Sequence, residues 1–97
     1  MTIETGPVDT ALTSTVVVRY FAGARAAAGV AEDRVRLPVE GTSVAHALAA
    51  VQALRGPELV RVLPSCSFLL NGVAVHDHAV AVPDGGEIDV LPPFAGG

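Results

Sequence analysis

The residues with the clearest chemical potential are the last six of the 97, Pro92-Pro93-Phe94-Ala95-Gly96-Gly97. A terminal Gly-Gly carries no side chains near its carboxylate, so it can thread a narrow channel and lie against another backbone. The two prolines hold φ near about −65° and favour an extended chain. At roughly 3.1–3.5 Å per residue, six extended residues reach about 20 Å. That is far enough to place Gly97 inside a partner's active site while the folded body stays outside. The plain alternative is a frayed end.

Other groups with chemical potential are weaker candidates. His76-Asp77-His78 offers two imidazoles and a carboxylate, but no further ligand stands close by in sequence, so a polar connection is the better reading. Cys66, the single cysteine, lies between Ser65 and Ser67 with no base or cation beside it, which favours a structural thiol over a reactive one. His46 falls between apolar positions of a helical pattern and reads as a boundary residue. Asp84-Gly85-Gly86 lacks the lysine and helix of a phosphate loop and reads as a turn. No set of nucleophile, base and acid is visible, so a free-standing enzyme is the least supported class.

Composition narrows the partners. The formal charge is −4, and the basic residues are Arg19, Arg25, Arg34, Arg36, Arg55 and Arg61, scattered without a stripe. That argues against nucleic acid and against an anionic membrane surface. There is no lysine, so the chain can supply neither a lysine for Schiff-base or general-base chemistry nor a lysine acceptor for an isopeptide bond. One cysteine excludes an internal disulfide and fits a reducing compartment. No basic n-region precedes an apolar run near Glu4 and Asp9, and no stretch of about 18 apolar residues exists. The expected location is the cytoplasm.

The elements that must position the tail follow from patterning. Residues 1–15 mix Thr, Gly, Pro and acids without periodicity and are expected to be a disordered leader. Val16–Ala22 is β-branched and aromatic, a first strand. Ala24–Ala28 fits one helical turn with Gly29 as C-cap. Asp33–Pro38 alternates as a second strand. Thr42 is the expected N-cap of a helix with Val44, Ala47, Leu48, Val51 and Leu54 on one stripe, ending at Gly56-Pro57. Glu58–Leu63 allows a short extra turn. Ser67–Leu70, the hairpin signal Asn71-Gly72 and Val73–Val75 give two more strands. Pro83–Gly86 turns into a final strand, Glu87–Leu91. One capped helix on a small mixed sheet is an α+β layer arrangement, with the first and last strands expected side by side in the centre.

This order, together with the tail, resembles the β-grasp, ubiquitin-like sulfur carriers of the MoaD/ThiS family, and within it the MoaD type, the small subunit of molybdopterin synthase. Tyr20-Phe21-Ala22 with Arg25 and Gly29, the helix after Thr42, Asn71-Gly72, Asp84-Gly85-Gly86-Glu87 and Leu91-Pro92-Pro93 with Gly96-Gly97 carry the resemblance. It spans a β-grasp domain at 16–91 and a tail at 92–97, and leaves out residues 1–15. It implies a carrier that holds sulfur as a thiocarboxylate on Gly97. A terminal carboxylate has a pKa of about 3.3–3.7 and is a poor electrophile at neutral pH. A MoeB-type adenylating enzyme would therefore spend ATP to form an acyl-adenylate, which a sulfur donor displaces. No cofactor is implied on the chain itself. The large subunit of molybdopterin synthase (MoaE-type) would supply the catalytic lysines and the pterin pocket.

On this reading Gly97 reacts, Gly96 gives clearance, and Pro92 and Pro93 direct the tail. Phe94 and Leu91 anchor it in the partner's groove, and Phe21 extends that apolar patch. Phe21 and Leu91 read equally well as ordinary core. Rival functions are a sulfur carrier for thiamine thiazole or cysteine biosynthesis, a ubiquitin-like protein modifier joined to targets through Gly97, and an interaction domain with an inert tail.

Overall fold

Alternation in the first hydrophobic run builds the centre of the molecule. In the computed structural model, which describes residues 12–93, β1 spans Thr13–Tyr20 with every second residue buried. Ser14, Val16, Val18 and Tyr20 face the core. The strand starts at Thr13 rather than Val16, because the Thr-Ser-Thr run continues the alternation and pairs with β2 as far as Pro38. It stops at Tyr20. Phe21 is the N-cap of α1, Ala22–Ala28, and Ala22 turns the chain with a φ of 49°. Gly29 closes α1 in the left-handed conformation, as its sequence position predicts.

The second strand, β2 (Glu32–Pro38), leads to the main helix α2, Val44–Arg55. The N-cap is Ser43, not Thr42. Ser43 Oγ accepts from the His46 N–H at 3.2 Å, while the Thr42 hydroxyl donates to the Pro38 carbonyl and fastens the preceding loop. The apolar stripe runs Val44, Ala47, Leu48 and Val51. Leu54 is not part of it and is 57% exposed. At the end of the helix Arg55 turns inward instead, to reach Asp33. Gly56 and Pro57 end α2 and start α3, Pro57–Val62, which runs into a 3-10 turn at Leu63–Ser65. The main helix is thus joined by two short ones where single turns were expected, and the short α3 contributes the fully buried Leu59.

β3 (Ser67–Leu70) and the two-residue β4 (Val73–Ala74) form the hairpin signalled by Asn71-Gly72, whose φ values are 49° and 82°. β5 spans Glu87–Leu91. The sheet order is β2-β1-β5-β3-β4. β1 and β5 are neighbours, as expected, and run parallel, while the other pairs are antiparallel. This is the β-grasp, ubiquitin-like arrangement.

The turn before β5 fixes its register on β1. Thr15 N–H donates to Asp84 Oδ1 at 2.7 Å, Gly85 N–H to the Thr15 carbonyl at 2.7 Å, and Val17 N–H to the Gly86 carbonyl at 2.9 Å. A side chain at Gly86 would lie 2.7 Å from Val82 Cγ1, so glycine is required there for close approach. Among the described residues no helix is long and apolar enough to cross a membrane.

Candidate functional site

The tail leaves from the central strand of the sheet. β5 is flanked by β1 on one side and β3 on the other, and Ile88 and Val90 are fully buried. The end of its ladder is held by Phe21, whose backbone N–H donates to the Val90 carbonyl at 3.2 Å. Leu91 and Pro92 are half-buried and Pro93 is exposed. Phe21, Leu91, Pro92 and Pro93 are thus brought to one end of the sheet. Phe21 is 39% exposed, so part of its ring is open to a partner. Phe94, Gly96 and Gly97 lie outside the described residues.

Two polar groups shape that end of the sheet, and neither stood out as a site residue in the sequence. Arg19 and Asp89 sit opposite each other across the β1–β5 pair, on the face away from the helices. Arg19 Nε donates to Asp89 Oδ1 at 2.7 Å and Nη2 to Oδ2 at 3.1 Å. This two-pronged geometry orients the guanidinium. The Asp89 hydrogen bond and charge push the Arg19 pKa upward. Glu87 adds a longer contact at 3.8 Å, and the Arg19 guanidinium carbon lies 5.8 Å from the centre of the Phe21 ring. Phe21 therefore rests beside a cation already committed to two carboxylates. The signal for this pair was parity: once β1 and β5 are neighbours, their outward positions share a face.

The second group pins the same end from the core side. Tyr20 Oη donates to Asp33 Oδ2 at 2.8 Å, and Arg55 Nε donates to the same oxygen at 2.9 Å. Arg55 Nη2 also donates to Asp33 Oδ1. The Asp33 pKa is held below the ordinary carboxylate value, first by the Arg55 hydrogen bond and then by that from Tyr20, against the opposing effect of burial. Burial is the main cause that raises the Tyr20 phenol, with Asp33 adding to it. This cluster joins the last residue of β1, the start of β2 and the end of α2. It fixes the strand end from which Phe21 projects.

The remaining sequence candidates serve structure. Cys66 is half-buried, its thiol directed to the Val62 carbonyl at 3.4 Å, and burial pushes its pKa up, away from thiolate chemistry. It lines a cleft of about 480 Å³ with Leu48, Val60, Leu63, Phe68 and His78 on the helix-covered side. His78 stands edge-on to Phe68, with ring centres 5.2 Å apart. Asp77 Oδ1 accepts from the Ala79 N–H at 2.9 Å, which makes His76–His78 a local turn. Among the described residues no group of three metal-binding side chains comes together.

With this geometry in place, comparison with known proteins is specific. The ThiS family model matches residues 18–97. The molybdopterin synthase sulfur carrier subunit of Chlamydomonas reinhardtii is 36% identical over 83 residues, covering 84% of this chain and 98% of that protein. The small archaeal modifier protein 1 of Haloferax volcanii superposes with a TM-score of 0.72 at 27% identity, covering 84% of this chain and 99% of that one. A chain from the complex of subunits 1 and 2 of molybdopterin-converting factor of Helicobacter pylori superposes with a TM-score of 0.61 at 24% identity, covering 86% and 99%. At that identity it speaks for the fold alone.

Proposed function

The chain belongs to the ThiS family, and from that premise we propose that it is the sulfur carrier subunit of a molybdopterin synthase. The observation that carries this reading is the 36% identity to a molybdopterin synthase sulfur carrier subunit over nearly the whole length of that protein. The strand end supports it. Pro92 and Pro93 follow directly on the central strand β5, and an extended six-residue segment from that point would reach about 20 Å.

In the proposed cycle a MoeB-type enzyme joins the Gly97 carboxylate to AMP and releases pyrophosphate. A sulfur donor attacks the acyl carbon, AMP leaves, and Gly97 carries a thiocarboxylate. Inside the large subunit the thiocarboxylate sulfur attacks the pterin precursor, water takes its place on the acyl carbon, and Gly97 returns as a carboxylate. Two such deliveries supply both sulfurs of the dithiolene. Gly96 gives clearance, Pro92 and Pro93 set direction, and Phe94, Leu91 and Phe21 form the apolar contact with the large subunit.

A second reading has its own support in the similarity to a small archaeal modifier protein, 27% identical. The same adenylate could pass to a target lysine instead of to sulfur. One experiment separates the two. The purified chain is incubated with a MoeB-type enzyme, ATP and a sulfur donor, and its intact mass is measured. Replacement of one oxygen by sulfur at Gly97, and its loss on deletion of Gly97, is the expected result. Higher-mass conjugates that require Gly97, with no thiocarboxylate formed by an activating enzyme proven on another carrier, would overturn the carrier reading.

A further inference from the structure

The register of β2 against β1 decides which backbone groups of β2 are left over. Tyr20 N–H donates to the Ala31 carbonyl at 2.9 Å, and Val39 N–H donates to the Leu12 carbonyl at 2.7 Å. Hydrogen-bonded and non-hydrogen-bonded pairs alternate along an antiparallel ladder. Between those two ends, Asp33, Val35 and Leu37 exchange bonds with β1, while Glu32, Arg34 and Arg36 turn their N–H and C=O groups outward. β2 is the outer strand of the sheet, so these groups form an open edge among the described residues.

Side chains on the two faces of this edge differ sharply. On the helix-free face Arg34 has a side chain 71% exposed and a loose contact with Glu32 at 3.6 Å. Arg36 donates to Thr13 Oγ1 at 3.1 Å and meets no carboxylate among the described residues. On the helix face a groove of about 380 Å³ runs between the end of β2 and α2. Leu37, Pro38, Gly41, His46, Ala49 and Ala50 line it, with Glu40 as its one carboxylate. The alanines of α2 leave this space open.

We propose that the free edge of β2 takes up an extended peptide of a partner protein as a sixth strand, with acidic side chains alternating with apolar ones. The backbone groups of Glu32, Arg34 and Arg36 supply ladder bonds, which give such strand addition its affinity. Successive side chains of an added strand point to opposite faces. Acidic residues then meet Arg34 and Arg36, and apolar residues enter the groove, from which Glu40 repels acids. A second copy of the chain is the competing occupant: one antiparallel self-pairing sets Arg34 against Arg34 and Glu32 against Arg36 twice, and the other sets Arg34 against Arg36 twice. Like charges directly opposite are destabilising.

The test is titration of the ¹⁵N-labelled full chain with a capped six-residue peptide alternating aspartate and valine. The expected result is saturable movement of the Arg34, Arg36, Ala49 and Ala50 amide signals, with a dissociation constant below about 1 mM. A lysine–valine peptide, an aspartate–valine peptide N-methylated at alternate residues, and the double variant Arg34→Glu/Arg36→Glu should each weaken binding at least about tenfold. The charge variant leaves the core untouched, so a dispersed spectrum confirms that it folds. Absence of saturable binding, signals that move elsewhere, or equal binding of the N-methylated peptide would overturn the proposal. So would Arg34 and Arg36 amides already protected from hydrogen exchange in the free chain, which would assign the edge to a second copy or to residues 1–11.

Discussion

Replacing Asp33 by asparagine should be among the most damaging single-atom changes in this domain. The Asp33 side chain is 6% exposed, and it accepts from Tyr20 Oη, Arg55 Nε and Arg55 Nη2. The asparagine side chain would keep one acceptor oxygen but present an NH₂ group to the guanidinium. Removing one partner of a buried ion pair costs roughly 3–5 kcal/mol when the other charge is trapped. The Arg55 side chain is 28% exposed and can partly regain water, which lowers the expectation to about 2–3 kcal/mol. For a domain of this size, that would lower the melting temperature by roughly 10–20 °C. Linkage gives a second signature. The Asp33 pKa is lower in the folded chain than in the unfolded one, so the folded state binds fewer protons. Its contribution is complete above the unfolded value of about 3.9 and drains away as pH falls through the folded value. Urea unfolding of the wild type and Asp33→Asn, from pH 7 down to pH 2.5, should show a gap that is full at pH 7 and narrows below about pH 4. A gap under about 0.5 kcal/mol at pH 7 would refute the reasoning. So would a gap that stays undiminished at the acid end.

Three further changes probe other parts of the same argument. Gly86→Ala forces a Cβ within 2.7 Å of Val82 Cγ1 and 2.9 Å of the Pro83 carbonyl, and should cost about 1–3 kcal/mol in urea unfolding. Ser14→Ala should be neutral or stabilise by up to about 1 kcal/mol in the same assay, because the buried Ser14 hydroxyl has no hydrogen-bond partner among the described residues. Phe21→Ala should leave a folded domain, by NMR dispersion, yet weaken its complex with the proposed large subunit at least about tenfold in calorimetry; unchanged affinity would remove Phe21 from that interface.

Legibility in the sequence followed the locality of the physics. Gly29, Gly56 and Asn71-Gly72 announce their turns because their conformations are set by a residue or two, and the structure has each of these turns. The central pairing of β1 and β5 followed from their being the most hydrophobic strands. The N-cap was displaced from Thr42 to Ser43 because two adjacent hydroxyls suit the role equally well. Only the loop decides which one must hold the Pro38 carbonyl. The Asp33–Tyr20–Arg55 cluster joins three elements, so no local pattern announces it. A trace was present all the same: Asp33 occupies the same parity as Val35 and Leu37, an acid on an apolar face. Likewise Leu54 matched the helical stripe, but Arg55 had the inward role because a buried carboxylate waited for it.

The chemistry proposed for Gly97 places a demand on the rest of the chain that the structure helps to explain. An acyl-adenylate is a target for any nearby nucleophile, so a carrier must offer it none of its own. The chain contains no lysine. Its one thiol faces the helix side, is tied to the Val62 carbonyl, and has a pKa raised by burial. At the sheet end from which the tail departs, Arg19 is a guanidinium held by Asp89, and because it stays protonated it has no free lone pair with which to attack. The ring beside it is inert. A surface of phenylalanine, leucine and proline around a locked ion pair can bind a partner tightly without reacting with the group it delivers. Introducing a nucleophile there tests this directly. Leu91→Cys places a thiol on the same strand end. During activation that thiol should attack the Gly97 acyl-adenylate and release AMP, leaving an internal thioester seen as loss of one water in the intact mass. The Leu91→Cys adenylate should therefore disappear faster than that of Leu91→Ser. Equal lifetimes for the two variants would mean that the inertness of this surface is incidental.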